Sequence, residues 1–271
     1  MHKQYFKEYS PALGRDMEGM VYGHAGRPML FIPCQDGHHP DFEGFHMTDT
    51  LAPWIESGQI QVTSIDTLDK ETWSDKHGDP YFRARRHEAW MSYIFNEVAP
   101  RMIARAEAIN GPHADNHIIS FGCSLGATHA VNCYLRRPDL FSGMMALSGI
   151  YTGSFGWGSY SDEVVYANSP VDYMANLPRD HYYVDIFNRQ RAVICVGQGA
   201  WEEPATTFQL KNIFAEKGID IWVDAWGYDV NHDWPWWHKM VPTYLPWLLG
   251  DCIPSAPNKV GWPVARCIPC R

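Results

Sequence analysis

One stretch, Gly122-Cys123-Ser124-Leu125-Gly126, constrains this chain more than any other. The apolar run His117-Ile118-Ile119-Ser120-Phe121 leads into it, and an apolar, alanine-containing segment beginning at Ala127 leads out, which reads as strand, sharp turn, helix. Small residues two places either side of Ser124 let the backbone turn tightly and push the hydroxyl into a cleft at the end of a sheet. A Cβ at Gly122 or Gly126 would crowd that turn. Gly and Ser are common, so the five residues alone carry little weight. The flanks make the match specific, and it occurs once in the chain.

The neighbouring segments repeat the alternation. Residues 4–9 and 18–24 alternate apolar and polar about Ser10-Pro11-Ala12-Leu13-Gly14, as an antiparallel edge hairpin would. Met29-Leu30-Phe31-Ile32 has no polar member, as expected of an interior strand covered on both faces. The loop Pro33-Cys34-Gln35-Asp36-Gly37-His38-His39-Pro40-Asp41 follows at the strand end where open sheets bind ligands. A helix over 47–57, a strand over 60–65, a polar loop over 66–80 and a long helix from about 81 toward 110, kinked or broken at Pro100, complete the first half. After the helix beyond the turn come apolar strands at 144–148, 192–197 and 219–226, with a helix running to Lys217 and stopped by Gly218. A final helix runs from Trp234 or Pro235 to Leu249. The expected class is therefore α/β, a mostly parallel twisted sheet with helices on both faces. Residues 1–250 read as one domain. Residues 149–189 break the rhythm and read as an insertion over the site, and 251–271 as a coil tail.

A formal net charge of -9 with no long basic block argues against nucleic acid or an anionic membrane as partner. Arg83-Ala84-Arg85-Arg86, the densest basic patch, reads as the solvated start of a helix. Without a leader-like or membrane-length apolar run, the expected location is cytoplasmic. Seven Cys, an odd number scattered among strands and helices, suit reduced thiols, and Cys267-Ile268-Pro269-Cys270 is a weak metal or redox signal. The 12 Trp suggest aromatic-lined cavities or a heavily aromatic core.

A serine hydroxyl needs a base to become a nucleophile, and the base needs a third group to hold its ring. One widespread arrangement presents serine, acid and histidine in that chain order, each on a loop after a strand. Here Ser124, then Glu202 or Glu203, then His232 satisfy it. His238 lies inside the final helix and is a weak rival. Glu202 and Glu203 are adjacent, and the alternatives to an orienting role are a solvated pair capping the helix that starts at Pro204, or one residue for each job. Asp172 and Asp185 are lesser candidates, and Asp229 and Asp233 flank His232 too closely. The expected oxyanion donors are the backbone N–H of Leu125 and that of Gly37 or His38. His38, His39 and Asp41 form a minor metal-site alternative without a further ligand set. Trp201 and Trp234 are candidates for lining the substrate site.

These residues resemble the "putative esterase" family of the α/β-hydrolase superfamily, which includes esterase D (S-formylglutathione hydrolase) and the mycolyltransferases. The chain looks most similar to a branch of uncharacterised cytoplasmic bacterial esterases. The resemblance rests on residues 9–17, Gly122 to Gly126, Gly197-Gln198-Gly199-Ala200-Trp201-Glu202 and Asn231-His232-Asp233-Trp234-Pro235-Trp236-Trp237. It implies an α/β-hydrolase fold and a serine carboxylesterase acting on a small-molecule ester or thioester, with Ser124 as nucleophile and His232 as base. No cofactor and no metal are implied. The family's Q-G-x-x-acid pattern favours Glu202 over Glu203. The loop at Cys34 to His39 departs from relatives, which carry small residues and paired glycines there. Acyl transfer on the same residues, or a non-catalytic binding module keeping the fold, are the alternatives. A homo-oligomer is compatible with the sequence.

Overall fold

The computed structural model describes residues 1–250 together with 252–253 and 268–269. Cys267, Cys270 and most of the expected coil tail lie outside the described residues. The two described pieces of that tail, Cys252–Ile253 and Ile268–Pro269, pair antiparallel.

Eight strands form one sheet: β1 (Lys3–Ser10), β2 (Arg15–Tyr22), β3 (Arg27–Ile32), β4 (Ile60–Ile65), β5 (Ile118–Cys123), β6 (Phe141–Leu147), β7 (Arg191–Val196) and β8 (Trp222–Ala225). Their order is β1-β2-β4-β3-β5-β6-β7-β8. β1 and β2 make the expected edge hairpin, Ser10 opposite Arg15, and β2 joins β4 antiparallel. All other neighbours are parallel. β8 is shorter than the apolar run that announced it, since 219–221 precede the ladder.

The helices are α1 (Asp41–Gly44), α2 (Met47–Glu56), α3 (Pro80–Tyr93), α4 (Ala99–Asn110), α5 (Leu125–Arg136), α6 (Ser154–Trp157), α7 (Glu163–Ala167), α8 (Pro170–Ala175), α9 (Tyr182–Phe187), α10 (Ala205–Lys217) and α11 (Trp234–Leu249). The side-chain period of two in a strand sorts the core into two layers. Leu30, Ile32, Met144, Ala146 and Ile194 face the cluster that includes side chains of α3, α4, α5 and α10. Met29, Phe31, Met145, Leu147 and Val193 face the cluster closed by α2 and α11. Both faces are covered, so the central strands need no polar residue. Truncating Phe31, fully buried, would cost about 3–5 kcal/mol.

Local chemistry sets the helix ends. Asp79 accepts from the N–H of Tyr81 at 2.8 Å with Pro80 at the first helical position of α3. The long helix expected toward Asn110 is two, joined by a π turn at Ile94–Val98. Pro100 has no N–H and its ring would strike the carbonyl four residues back, so the hydrogen-bond ladder widens there. The basic patch on α3 is engaged rather than merely solvated: buried Arg83 donates to the Thr72 and Gly156 carbonyls, Arg85 to Asp162 and Arg86 to Glu71.

The insertion carries α6 to α9 and is pinned to the main body. Thr128 donates to the Ile150 carbonyl at 2.8 Å and Arg136 to the Asn168 side chain at 2.8 Å. Trp157 packs on Trp73 and Leu125, which places this segment beside the start of α5. Among the described residues, no helix is long and apolar enough to cross a membrane.

Candidate active site

Ser124 sits between β5 and α5 at φ 57° and ψ −131°. A non-glycine residue held there costs roughly 1–3 kcal/mol, supplied by the packing around it. Both flanking glycines are required by close approach. A Cβ on Gly122 would lie 2.2 Å from the Gly126 carbonyl oxygen, and one on Gly126 would lie 2.2 Å from that of Ile32. The turn is thus wedged against the end of β3, and the Ser124 N–H is tied to the Leu147 carbonyl of β6 at 2.9 Å.

His232 lies between β8 and α11, and its Nε2 is 2.9 Å from the Ser124 hydroxyl. On its other side, Nδ1 is 3.2 Å from Oε2 of Glu202. With the ring proton on Nδ1, the imidazole donates to the carboxylate and accepts from the hydroxyl. The Glu202 side chain is 0% exposed, and that of His232 is 23% exposed. The remaining oxygen of Glu202, Oε1, accepts from the Ser148 hydroxyl at 2.7 Å and the Gly197 N–H at 3.1 Å. A buried carboxylate with three donors is satisfied and oriented.

The loops that carry Glu202 and His232 are laced together. Gly199 N–H donates to the Val230 carbonyl, Ala200 N–H to the Asn231 side chain, and His232 N–H to the Ala200 carbonyl at 3.0 Å. A Cβ on Gly199 would lie 2.6 Å from the Asn231 Oδ1, so this interlock needs glycine. Trp237 packs edge-on to the His232 ring at 5.1 Å, and its indole N–H donates to Ser148 at 3.0 Å. Ser148 was not singled out from sequence, and Trp237 entered only as part of the aromatic motif at 231–237. The signal available was a polar residue closing the apolar run of β6 at the sheet's carboxyl end.

The rivals are engaged elsewhere. Glu203 accepts from the Thr206 hydroxyl at 3.2 Å, at the start of α10. Asp233 caps α11 through the Trp234 N–H, Asp172 accepts from Ser169, and His238 pairs with Thr50 at 2.7 Å. No bond joins Asp185 or Asp229 to His232 among the described residues. Burial pushes the Cys34 thiol up to about 12 and holds that of Cys123 well above its ordinary value, so neither nearby sulfur supplies a thiolate.

In the early loop, the Gly37 N–H donates to the Cys34 carbonyl at 2.9 Å and the His38 N–H to Asp41 Oδ2 at 2.9 Å. Neither amide can take an oxyanion without breaking that bond. The Gln35 N–H makes no backbone hydrogen bond to another described residue, that of Cys34 faces its own thiol, and the first N–H of α5, on Leu125, lacks a partner within its helix. His39 is held by Asp66, its ring at 2.8 Å from the carboxylate, and no group of three or more metal-ligating side chains occurs among the described residues. Trp234 stacks on Phe45 at 4.5 Å, whereas Trp201, next to Glu202, is 91% exposed.

The whole architecture has solved counterparts. A ferulic acid esterase structure is 16% identical, with 92% of this chain and 97% of that one covered and a TM-score of 0.69. An S-formylglutathione hydrolase from Agrobacterium tumefaciens is 14% identical over 92% of this chain and 94% of its own, with a TM-score of 0.64. The fluorophosphonate-binding serine hydrolase F of Staphylococcus aureus is 11% identical over 92% and 98%, also at 0.64. These likenesses fix the fold as that of the α/β-hydrolases. No curated protein sequence matches the chain. A family model described as "Putative esterase" matches residues 10–248. With nearly all of its sheet and every loop of the candidate site inside that match, the chain belongs to the putative esterase family.

Proposed function

We propose that this esterase works through an acyl-serine intermediate on Ser124. The observation that carries the reading is the unbroken hydrogen-bonded sequence from the Ser124 hydroxyl through His232 to buried Glu202. Ser124 Oγ attacks the ester carbonyl carbon while His232 Nε2 takes the hydroxyl proton, and Glu202 stabilises the imidazolium. The negative charge moves to the carbonyl oxygen. Donors there are the Leu125 N–H and, since Gly37 and His38 are committed, an amide of the Cys34–Gln35 stretch. The carbon–alkoxide bond then breaks, and the leaving alkoxide takes the proton from His232. Water attacks the acyl carbon, gives its proton to the same nitrogen, and the acid leaves as Ser124 recovers its hydrogen.

Turnover of short-chain p-nitrophenyl esters by Ser124→Ala tests this. Turnover should fall to background with the fold intact, and undiminished turnover would contradict the assignment.

A further inference from the structure

A second buried polar chain lies behind the early loop. Asp69 and His129 are 2% and 0% exposed, and His129 Nε2 is 3.0 Å from Asp69 Oδ1. The other carboxylate oxygen, Oδ2, accepts the N–H of Asp36 at 3.2 Å. Around them the interior is aromatic: the His129 ring lies 5.0 Å from that of Trp90 and 5.7 Å from that of Trp73. Replacing a buried ionisable pair by well-packed apolar residues is often neutral or stabilising, so burial here is weak evidence for a role in stability and leaves specifying geometry as the alternative.

What it specifies is visible at both ends. His129 stands on α5, one helical turn beyond Leu125, so it moves as one body with Ser124 and the Leu125 N–H. Asp36 is held at φ 61°, a left-handed conformation that a non-glycine residue keeps only under constraint. The residue before it is Gln35. From the far side, the Gly37 carbonyl takes both the N–H and the hydroxyl of Thr67, at 3.2 and 2.9 Å. The loop is thereby clamped from behind, while the Gln35 N–H makes no backbone hydrogen bond to another described residue.

We propose that Asp69 and His129 are positioning residues that set the separation between the two oxyanion donors, measuring the early loop against the helix that carries the nucleophile. This rests on the acyl-serine reading above. Neither residue touches substrate. Each acts through the Asp36 amide, so loosening the pair should displace the second donor and weaken stabilisation of the tetrahedral anion, while leaving ground-state binding nearly unchanged.

The experiment compares the wild-type chain with Asp69→Asn, and with His129→Gln in case the first fails to fold, by kcat and KM on a p-nitrophenyl ester and by the affinity of a trifluoromethyl ketone. Such a ketone adds to the serine as a hemiketal whose oxyanion occupies the same donors. The expected result is a parallel loss of kcat and ketone affinity of about tenfold to a hundredfold at near-constant KM. Variants that keep both quantities, or that lose melting temperature and raise KM without the parallel loss, overturn the positioning role. A wild-type protein indifferent to the ketone would overturn the acyl-serine reading, and this proposal with it.

Discussion

The Ser148 hydroxyl donates to Oε1 of Glu202 at 2.7 Å, from a residue held at φ 58° immediately after β6. Trp237 donates to that same hydroxyl, so a side chain of α11 fixes the serine that fixes the carboxylate. Ser148→Ala leaves Oε1 with the Gly197 N–H alone and strands the Trp237 indole. A hydrogen bond to a charged group contributes about 1.5–3 kcal/mol, so kcat should fall by about tenfold or more. Steady-state kinetics on one ester decides it, and an unchanged kcat would mean that Gly197 alone holds the carboxylate.

Glu202 and Glu203 are neighbours with different surroundings, which gives a paired test. Glu202→Gln should lower kcat about a thousandfold or more, because an amide can neither stabilise the imidazolium nor enforce the Nδ1 tautomer. Glu203→Gln alters only the contact with Thr206 at the start of α10 and should change stability by less than about 1 kcal/mol, with activity kept. The reverse pattern would reassign the acid.

Much of this was legible in the chain because its signals are local. The elbow, the interior strand Met29–Ile32 and the histidine before the last helix each follow from a short pattern, whereas the residues alone left Glu202 and Glu203 open and only the family resemblance favoured Glu202. Strand order, the π turn before Pro100 and the four short helices of the insertion did not follow from such patterns. They depend on contacts between segments far apart, such as Arg136 with Asn168. Ser148, Asp69 and Trp237 act through partners 33 to 89 residues away, as in Asp36 with Asp69 and Ser148 with Trp237. The cues for two of these were slight: Ser148 closes the apolar run of β6, and His129 is a polar ring within a buried helix and so needs a buried partner.

Two glycines separate steric need from backbone need. Gly126→Ala drives a Cβ to 2.2 Å from the Ile32 carbonyl oxygen, a contact with backbone that no side-chain rotation relieves. It should destabilise by more than about 3 kcal/mol and abolish activity. Gly14→Ala, at φ +67° with open space around it, pays only the left-handed penalty of about 1–2 kcal/mol and should keep activity. Urea denaturation of both variants measures the difference.

Burial, with the neighbouring His129 and Arg136 adding to it, holds His87 well below its ordinary pKa, so it stays neutral in the fold while the unfolded chain protonates below about pH 6.5. The unfolded state therefore binds the extra proton, and stability falls as pH drops through that value. His87→Phe should flatten the fall in melting temperature between about pH 7 and pH 5 relative to wild type. Identical slopes would show that His87 titrates normally in the folded protein.

The proposed mechanism passes through a covalent acyl group on Ser124. Acid-quenching the enzyme milliseconds to seconds after mixing with p-nitrophenyl acetate, then digesting it and weighing the peptides, tests that directly. One acetyl group is expected on the peptide containing Ser124, absent in Ser124→Ala and accumulating in step with a burst of nitrophenolate. Full ester turnover with an unmodified Ser124 peptide, or with the acetyl group on another residue, would contradict it.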